Sequence, residues 1–464
     1  MRNPLILLLC AILIMSSEAM TPAAGPFPQP ATTQSTIQEV PDELLRETDR
    51  PLDARIDPDK VTELDLPPLP EQVVLPMPPW FRLSESAAEV PVPQDVWNRA
   101  MQAIRDGVAY LRTQQNEQGG WLTDLQAAPT DQPDAPSPIA IAVTALAMKA
   151  IAQPSDERLK DPSIKRAANF IRTAQRKDGS FDGGALSNYV TSCVIMGLTS
   201  VDEMQFATEI HFATKWLQVT QWDQGEGVGA RQDWFGGAGY GNRGRPDLSN
   251  TQMMLDALYD AHMSPDEPAV QRALLFVSRA QNLKATNSAE WAGNDGGFIY
   301  TPANGGESMA SEAAGEGRWG ENIPEGQPRS LRSYGSMTYA GFKSMIYAGL
   351  SQNDIRVRAA FDWIRRHWTF EENPGLGQQG LYYYYLTMAR TLTIAQQHII
   401  TDIEGIDHNW RVELIETLLK KQASDGSWKN EADRWLEGEP VMATTYALLS
   451  LEEALKPILK LKDD

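Results

Sequence analysis

Cysteine is almost absent from this sequence, which has two cysteines in 464 residues. Cys10 lies in an apolar N-terminal segment, and Cys193 lies in the apolar run 190–198. If the N-terminal segment is removed on export, a single thiol remains, which excludes an internal disulfide. Stability must therefore come from packing, and we expect Cys193 to be a small core residue.

Long hydrophobic runs and an excess of basic residues are also lacking. The apolar stretch 5–15 is too short for a permanent membrane anchor. It follows Arg2 and precedes Ser17-Glu18-Ala19, a small-x-small site, so residues 1–19 are predicted to be a signal peptide. We expect an exported protein, periplasmic or extracellular, with no stable membrane span after leader removal. The 41 basic and 61 acidic residues give a net charge of −20, which argues against a nucleic-acid partner.

Proline is concentrated between residues 20 and 95, where nearly half of the 31 prolines lie. That density cannot sustain helices or central strands. The segment is predicted to be a largely irregular tether. A single domain is predicted over 96–460.

From residue 96 onward the chain repeats one phrase: an apolar helix, then Gln, Gly and an aromatic residue. We expect the Gln amide to donate hydrogen bonds to the last carbonyls of its own helix, and Gly to permit the left-handed turn that ends the helix. The aromatic ring is expected to pack over the junction between that helix and the next. The copies are Tyr110-Leu111/Gln115/Gly119/Trp121; Phe170-Ile171/Gln175/Gly179/Phe181; Trp216-Leu217/Gln221/Gly225 without the aromatic; Phe276-Val277/Gln281 with an insertion before Gly296-Gly297-Phe298; Trp363-Ile364 with Trp368 in place of Gln; and Gln422/Gly426/Trp428.

The hydrophobic periodicity predicts two alternating sets of helices and almost no strands. The outer set carries charge on one face, whereas the inner set is apolar all round and is therefore expected to be buried. Alternating buried and amphipathic helices predict an all-α fold, a two-layer α/α toroid. The outer helices are predicted at 97–115, 163–175, 206–221, 268–281, 355–368 and 410–422, and the inner ones at 138–152, 188–200, 248–262, 337–350, 381–396 and 441–455.

The Gln–Gly–aromatic phrase resembles the QW motif of the prenyltransferase and squalene-cyclase repeat family, over residues 96–455. The resemblance implies a terpenoid cyclase-like α/α toroid of six helix pairs. It also implies a central cavity for an apolar or isoprenoid-like ligand.

The chemistry of that family is less well matched. Its cyclases protonate an alkene with the middle acid of a D-x-D-D-T-A stretch, which here reads Asp247-Leu248-Ser249-Asn250-Thr251-Gln252. Serine cannot supply a strong acid, so Asp247 is the remaining catalytic candidate. The same stretch also suits a helix N-cap. The zinc-binding branch needs Cys and His, where this chain has Ser249 and Ala443-Thr444-Thr445, so no metal or cofactor is expected.

Three insertions, at 223–247, 282–336 and 369–380, each precede an inner helix. On a toroid they share one rim, over the inner-helix N-termini, and function usually resides in such loops. We therefore expect the site at this mouth of the central cavity. Of the tyrosines at 382–385, one or two can face the cavity. The candidate ligand-binding residues are Trp234, Phe235, Tyr240, Ser249, Asn250, Tyr339, Tyr382 and Trp435.

Three functions remain open on the sequence. The leading hypothesis is a cyclase-like protein without the family's acid or zinc, either a binding module or an enzyme using another acid. The second is a carbohydrate-active α/α toroid that uses paired carboxylates, and the third is a scaffold for a protein partner that the sequence does not specify. The acids that the second hypothesis would use, near aromatic residues at the same rim, are Asp124, Asp233, Asp295, Glu321 and Glu439.

Overall fold

The computed structural model describes residues 92–123, 136–181, 186–241, 244–306, 308 and 331–456. The predicted leader and most of the tether lie outside these ranges, as do Asp124 and Glu321.

The described residues form twelve α-helices, which alternate between an outer and an inner layer. Their ends fall within three residues of the predicted positions. The outer helices are α1 (Gln94–Gln114), α3 (Pro162–Arg172), α5 (Ala207–Val219), α7 (Pro268–Arg279), α9 (Ile355–Arg366) and α11 (Trp410–Lys421). The inner helices are α2 (Pro138–Ala152), α4 (Ser187–Asp202), α6 (Leu248–Asp260), α8 (Gly335–Tyr347), α10 (Leu381–Ile394) and α12 (Pro440–Leu455).

The inner helices form a closed ring. Each packs against the next inner helix, and α12 packs back against α2. The outer helices pack around them, with α1 against both α11 and α12. Nearly every residue of α2 and α12 is buried, because each inner helix has neighbours on all sides. Over the described ranges the fold is an all-α α/α toroid of six helix pairs, as the sequence predicted.

Two short antiparallel ribbons are added to this ring. One pairs β1 (Ala238–Gly239) with β2 (Pro246–Asp247) just before α6, and the other pairs β3 (Ile399–Thr401) with β4 (Asp407–Asn409) just before α11. Within the described ranges, no helix combines the length and apolar character needed to cross a membrane.

The repeated glutamines join neighbouring repeats. The Nε2 of Gln281 donates to the carbonyl of Gly296 at 2.9 Å and to that of Arg356, on the next outer helix, at 2.8 Å. Gln422 bonds in the same way to Gly426 and to Ala103 on α1, which closes the ring. The same pair of bonds is made by Gln115 to Gly119 and Ser163, and by Gln221 to Gly236 and Ala269.

The prediction that these amides serve the last carbonyls of their own helix is wrong. Gln115 and Gln422 sit at the C-cap with extended backbone, so the side chain leaves its own helix. The tryptophans serve those carbonyls instead: Nε1 of Trp121 donates to Leu111 at 2.7 Å, and Nε1 of Trp428 donates to Leu418 at 2.8 Å. Each acceptor lies in the last turn of its helix, where carbonyls lack a helical partner.

The fifth repeat keeps an inter-repeat link without glutamine. Trp368, which stands in place of Gln, donates from Nε1 to Oε2 of Glu413 on α11 at 3.2 Å. The degraded motif therefore still contacts the next outer helix.

The repeat glycines combine left-handed backbone with close approach to the next outer helix. Gly119 has φ +95°, and a Cβ there would lie 2.5 Å from the Arg166 carbonyl oxygen. In the third repeat the glycine in this role is Gly236 (φ +83°, 1.9 Å from the Arg272 carbonyl oxygen), which corrects the assignment to Gly225. The cause is the inserted segment 223–235, which separates Gln221 from its glycine.

The bridging role of glutamine predicts a specific loss of stability. We expect Gln281→Leu to lower the free energy of unfolding by about 2–4 kcal/mol, because it removes two buried hydrogen bonds and leaves their acceptors without this donor. Urea denaturation measures this loss.

Gln175→Leu is the matched control. Gln175 is only partly buried, and its bond to the Glu209 carbonyl is 3.4 Å long. We expect it to cost less than about 1 kcal/mol. Equal losses of unfolding free energy in the two variants would show that the two bridging hydrogen bonds add no stability beyond that of burying the side chain.

Candidate functional site

A cavity of about 890 Å³ opens at the C-terminal ends of the inner helices. Its apolar wall includes Met101 and Ile104 of α1, Met263 after α6, and Leu455 of α12. The predicted mouth was the opposite one, over the inner-helix N-termini. At the cavity's end the connections between helices are mostly shorter than the insertions at the predicted mouth, as residues 203–206 between α4 and α5 show.

Above this cavity the axis of the toroid narrows. A space of about 40 Å³ is lined there by Tyr189, Tyr383, Tyr446 and Gln252. The rings of Tyr383 and Tyr446 lie 6.1 Å apart, centroid to centroid. The narrow space has room for water but not for a ligand of several carbons.

A collar of charged residues separates the two spaces. Lys149, Lys343 and Arg390 each lie three or four residues before the end of an inner helix. Lys149 binds Asp260 at 2.7 Å, and Lys343 binds Asp256 at 2.6 Å. Arg390 binds Asp256 at 2.8 Å and Asp260 at 2.6 Å. Cations suit this position because helix C-termini carry partial negative charge.

The pairing keeps the collar ionised despite its burial. Burial raises the pKa of Asp256, but Lys343 and Arg390 outweigh it and hold that pKa below its usual range. Arg390 and Lys149 do the same for Asp260. Sequence reasoning missed this network; its signal was the lysine or arginine near the end of three apolar helices.

Two glutamates of α12 complete the floor of the cavity. Glu453 accepts from Nζ of Lys456 at 2.5 Å and lines the narrow space. Glu452 lines the wide cavity, and its Oε2 accepts from Nε2 of Gln153 at 2.6 Å. Burial raises the pKa of Glu452 well above its usual value.

Asp247 lies in the lining of neither cavity. It caps α6: Oδ1 accepts from the Asn250 backbone N–H at 2.7 Å, and Oδ2 accepts from Asn250 Nδ2 at 2.9 Å. Asn188 of α4 donates to Asn250 Oδ1 at 3.1 Å, so the cap also links two inner helices. Burial raises the pKa of Asp247 to about 7.

Ser249 does not line the axial space itself but contacts Tyr383, which does. Its Oγ lies 3.1 Å from the hydroxyl of Tyr383, which also accepts from Gln252 Nε2 at 3.0 Å. Tyr382 turns away toward the Lys429 carbonyl, 3.4 Å distant, and Tyr339 is buried edge-to-face against Tyr384. Of the four consecutive tyrosines, Tyr383 is the one in the lining of the axial space.

The aromatic candidates of the insertions pack locally. Trp234 and the fully buried Phe235 belong to a small cluster with Trp222, beside α7. The Tyr240 hydroxyl lies 3.1 Å from the hydroxyl of Tyr300. None of these residues lines the two cavities.

Trp435 also packs locally. It adopts φ +59° and stacks under the Arg434 guanidinium at 4.6 Å. Its ring also contacts the site of Gly380, where a Cβ would lie 3.0 Å away. It is absent from the lining of both cavities.

The described rim carboxylates have separate settings. Asp295 accepts hydrogen bonds from the Gly297 N–H at 2.9 Å and from the Ser333 hydroxyl at 2.8 Å. Asp233 is exposed to solvent. Glu439 stands at the N-cap of α12, but its side chain makes no capping hydrogen bond. In the described ranges, no group of three or more His, Cys, Asp or Glu side chains is placed to hold a metal ion.

Glu437, in the same acidic stretch as Glu439, is fully buried and caps α10 from outside that helix. Its Oε1 accepts from the Tyr383 N–H at 2.8 Å, and its Oε2 from Asn430 Nδ2 at 2.7 Å. The residue that begins this cap is Gly380, which has no capping side chain. Burial raises the pKa of Glu437 to about 7, although these donors oppose the rise.

Asp247 should make stability depend on pH. Between about pH 4 and 7 the folded carboxyl holds a proton that the unfolded chain has lost, so stability falls as pH rises through this window. We expect Asp247→Asn, which keeps a capping oxygen, to reduce that fall by at most about 1.4 kcal/mol per pH unit. Denaturation at pH 5, 6, 7 and 8 measures it; identical slopes in both proteins would refute the assignment.

Glu437 should matter for stability more than its neighbour. Glu437→Gln turns an amide toward groups that donate, so we expect it to cost about 1–2 kcal/mol of unfolding free energy. Glu439→Gln is the control, with an expected change within about 0.5 kcal/mol. Thermal and urea unfolding compare the two, and a larger loss from Glu439→Gln would contradict the capping role.

Comparison with known proteins extends these observations. Residues 130–300 match the family model of the squalene-hopene cyclase C-terminal domain. A search of curated protein sequences gives no match.

Solved structures of the type II terpene cyclase MstE from Scytonema are similar to this chain. A variant in complex with merosterolic acid A (product) is 13% identical, with a TM-score of 0.47, over 79% of this chain and 100% of that chain. A variant in complex with geranylgeranyl dihydroxybenzoate (substrate) is 12% identical, with the same TM-score and coverage. The apo enzyme is 13% identical, with a TM-score of 0.45, over 78% and 99% of the two chains.

The match over residues 130–300 confirms the squalene-cyclase-like resemblance that the Gln–Gly–aromatic repeats indicated, and the described residues form the α/α toroid that the resemblance implied.

Proposed function

We propose that this protein is an exported binding module that holds an apolar, isoprenoid-like ligand in the cavity at the C-terminal ends of its inner helices. The observation that carries the proposal is the cavity itself, whose volume of about 890 Å³ falls in the range of small-molecule sites. Its wall of Met101, Ile104, Met263 and Leu455 suits a hydrocarbon chain, and its charged floor suits a polar end.

The lip of the cavity supports an apolar ligand. Leu159, Met204 and Tyr259 are 44%, 90% and 47% exposed, and each lies on the end of an inner helix or the connection that follows it. These elements share the rim at which the cavity opens. Exposed apolar side chains around a concave opening are typical of a site that accepts an apolar partner.

Binding is favoured over alkene protonation by the setting of Ser249. The residue stands where the family's cyclases carry their acid, and its hydroxyl is hydrogen-bonded to Tyr383. The axial space that Tyr383 lines is about 40 Å³, which is too small for an isoprenoid chain. Asp247, the other candidate acid, is occupied as a helix cap.

Filling the cavity should abolish binding. We expect Met101→Trp to weaken the binding of a long isoprenoid chain at least about tenfold, because the larger side chain occupies the apolar wall. Tryptophan fluorescence titration or calorimetry measures the affinity, and mass spectrometry of organic extracts from the purified protein identifies a native ligand.

Phe212→Trp is the control for that experiment. Phe212 is 46% exposed on α5 and is absent from the cavity lining. We expect it to leave the affinity unchanged. Equal affinities in the wild-type protein and Met101→Trp would exclude this cavity as the binding site.

A further inference from the structure

Glu452 lines the cavity, and one of its carboxyl oxygens has no hydrogen-bond partner in the described structure. The residue lies in the last turn of α12 and is 8% exposed. Its Oε2 accepts from Gln153, but Oε1 is buried and has no hydrogen-bond partner within the described structure. A buried polar atom without a partner is costly, so an unsatisfied oxygen in a cavity wall indicates a place for a ligand group.

The cations nearest Glu452 are already paired. Lys149 binds Asp260, Arg390 binds Asp256 and Asp260, and Lys456 binds Glu453. Among the buried polar atoms of the cavity lining, those without a hydrogen-bond partner in the described structure are Oε1 of Glu452 and the hydroxyl of Thr199, and neither belongs to a cation. An anionic ligand would also face the negative ends of the inner helices and a chain with a net charge of −20.

The ionisation state of Glu452 narrows the choice of ligand. Burial raises the pKa of the carboxyl well above its usual value, although Lys456 and Lys149 oppose the rise, and this shift favours the protonated form. Because Oε2 accepts the Gln153 amide, the protonated form of Glu452 carries its proton on Oε1, the oxygen without a partner in the described structure. A neutral carboxyl at that position can both donate and accept, as an alcohol can.

We propose that Glu452, through Oε1, binds the hydroxyl end of an uncharged long-chain or isoprenoid alcohol whose chain lies along Met101, Met263 and Leu455. The inference rests on the proposed function and specifies the polar end of its ligand. The polar end of the ligand is then bound at the end of the toroid opposite Asp247.

The first test compares four ligands that share the same hydrocarbon chain and differ in the group at its end. Farnesol, farnesyl diphosphate, farnesylamine and the hydrocarbon farnesene are titrated into the leader-free protein at pH 7. We expect farnesol to bind about tenfold more tightly than farnesene, the gain of one satisfied buried hydrogen bond. Tighter binding of the amine or the diphosphate would overturn the assignment of a neutral hydroxyl.

The second test changes Glu452 itself. Glu452→Leu should reduce the affinity for farnesol about tenfold, to the level of farnesene. Glu452→Gln should stay within about threefold of the wild type, because its amide can donate where the carboxyl did. A carboxylate that accepted from the ligand would instead lose binding in Glu452→Gln. Circular dichroism and thermal unfolding check that both variants fold.

Glu203→Gln is the matched control, since Glu203 lines the same cavity with a side chain that is 47% exposed. Its farnesol affinity should equal that of the wild type. Unchanged affinity in Glu452→Leu, with binding still lost in Met101→Trp, would refute the role of Glu452 and leave the cavity function standing. Failure of all four compounds to bind would refute both proposals.

Discussion

The contact on which the whole toroid depends is the glutamine amide that bridges one repeat to the next. Each bridge satisfies two carbonyls with one side chain, one in its own turn and one on the neighbouring outer helix. In the last repeat, Gln422 reaches Ala103, more than 300 residues away along the chain. Closing so long a loop has an entropic cost, which grows slowly with length. The same amide that joins adjacent repeats therefore also joins the two ends of the ring.

Ring closure has an electrostatic consequence. Outer and inner helices alternate, so all six inner helices run in the same direction and their dipoles add. The positive ends meet at one rim, where the carboxylates of Asp247 and Glu437 cap α6 and α10. The negative ends meet at the other rim, where Lys149, Lys343 and Arg390 cluster. The ring thus places capping acids at one end of its axis and buried cations, with their acidic partners, at the other.

Much of this fold could be predicted from the sequence, because periodicity and repeat spacing are local. The twelve helices and their order follow from apolar positions that neighbouring residues reveal. The partners of the glutamines do not, since Arg356 and Ala103 become neighbours only when the ring forms. Gly236 was likewise hidden: an insertion of ordinary loop composition separates it from Gln221, and Gly225 offers a better sequence match.

The site was harder to predict than the fold for the same reason. Four consecutive tyrosines are equivalent in sequence, and only the rotation of α10 places Tyr383, rather than Tyr382, in the lining of the axis. The pairing within the charged collar is also hidden in the sequence, because each cation stands alone in its own helix and its acidic partners lie on another. Burial of these cations is tolerated because each is paired with Asp256 or Asp260 of another helix.

Loop length misled the prediction of where the cavity opens. The long insertions predict the functional rim at the inner-helix N-termini, yet the described side chains Val228 and Phe235 of the first insertion pack in a small apolar cluster instead. Most connections at the other rim are short, such as the four residues 203–206 that join α4 to α5, and the longest described one holds the β3–β4 ribbon between α10 and α11. Short connections cannot fold over the axis, so the inner-helix ends stay uncovered and a cavity remains between them. In a closed ring of helix pairs, the open end is therefore the one with the least loop, and Glu452 stands at that end.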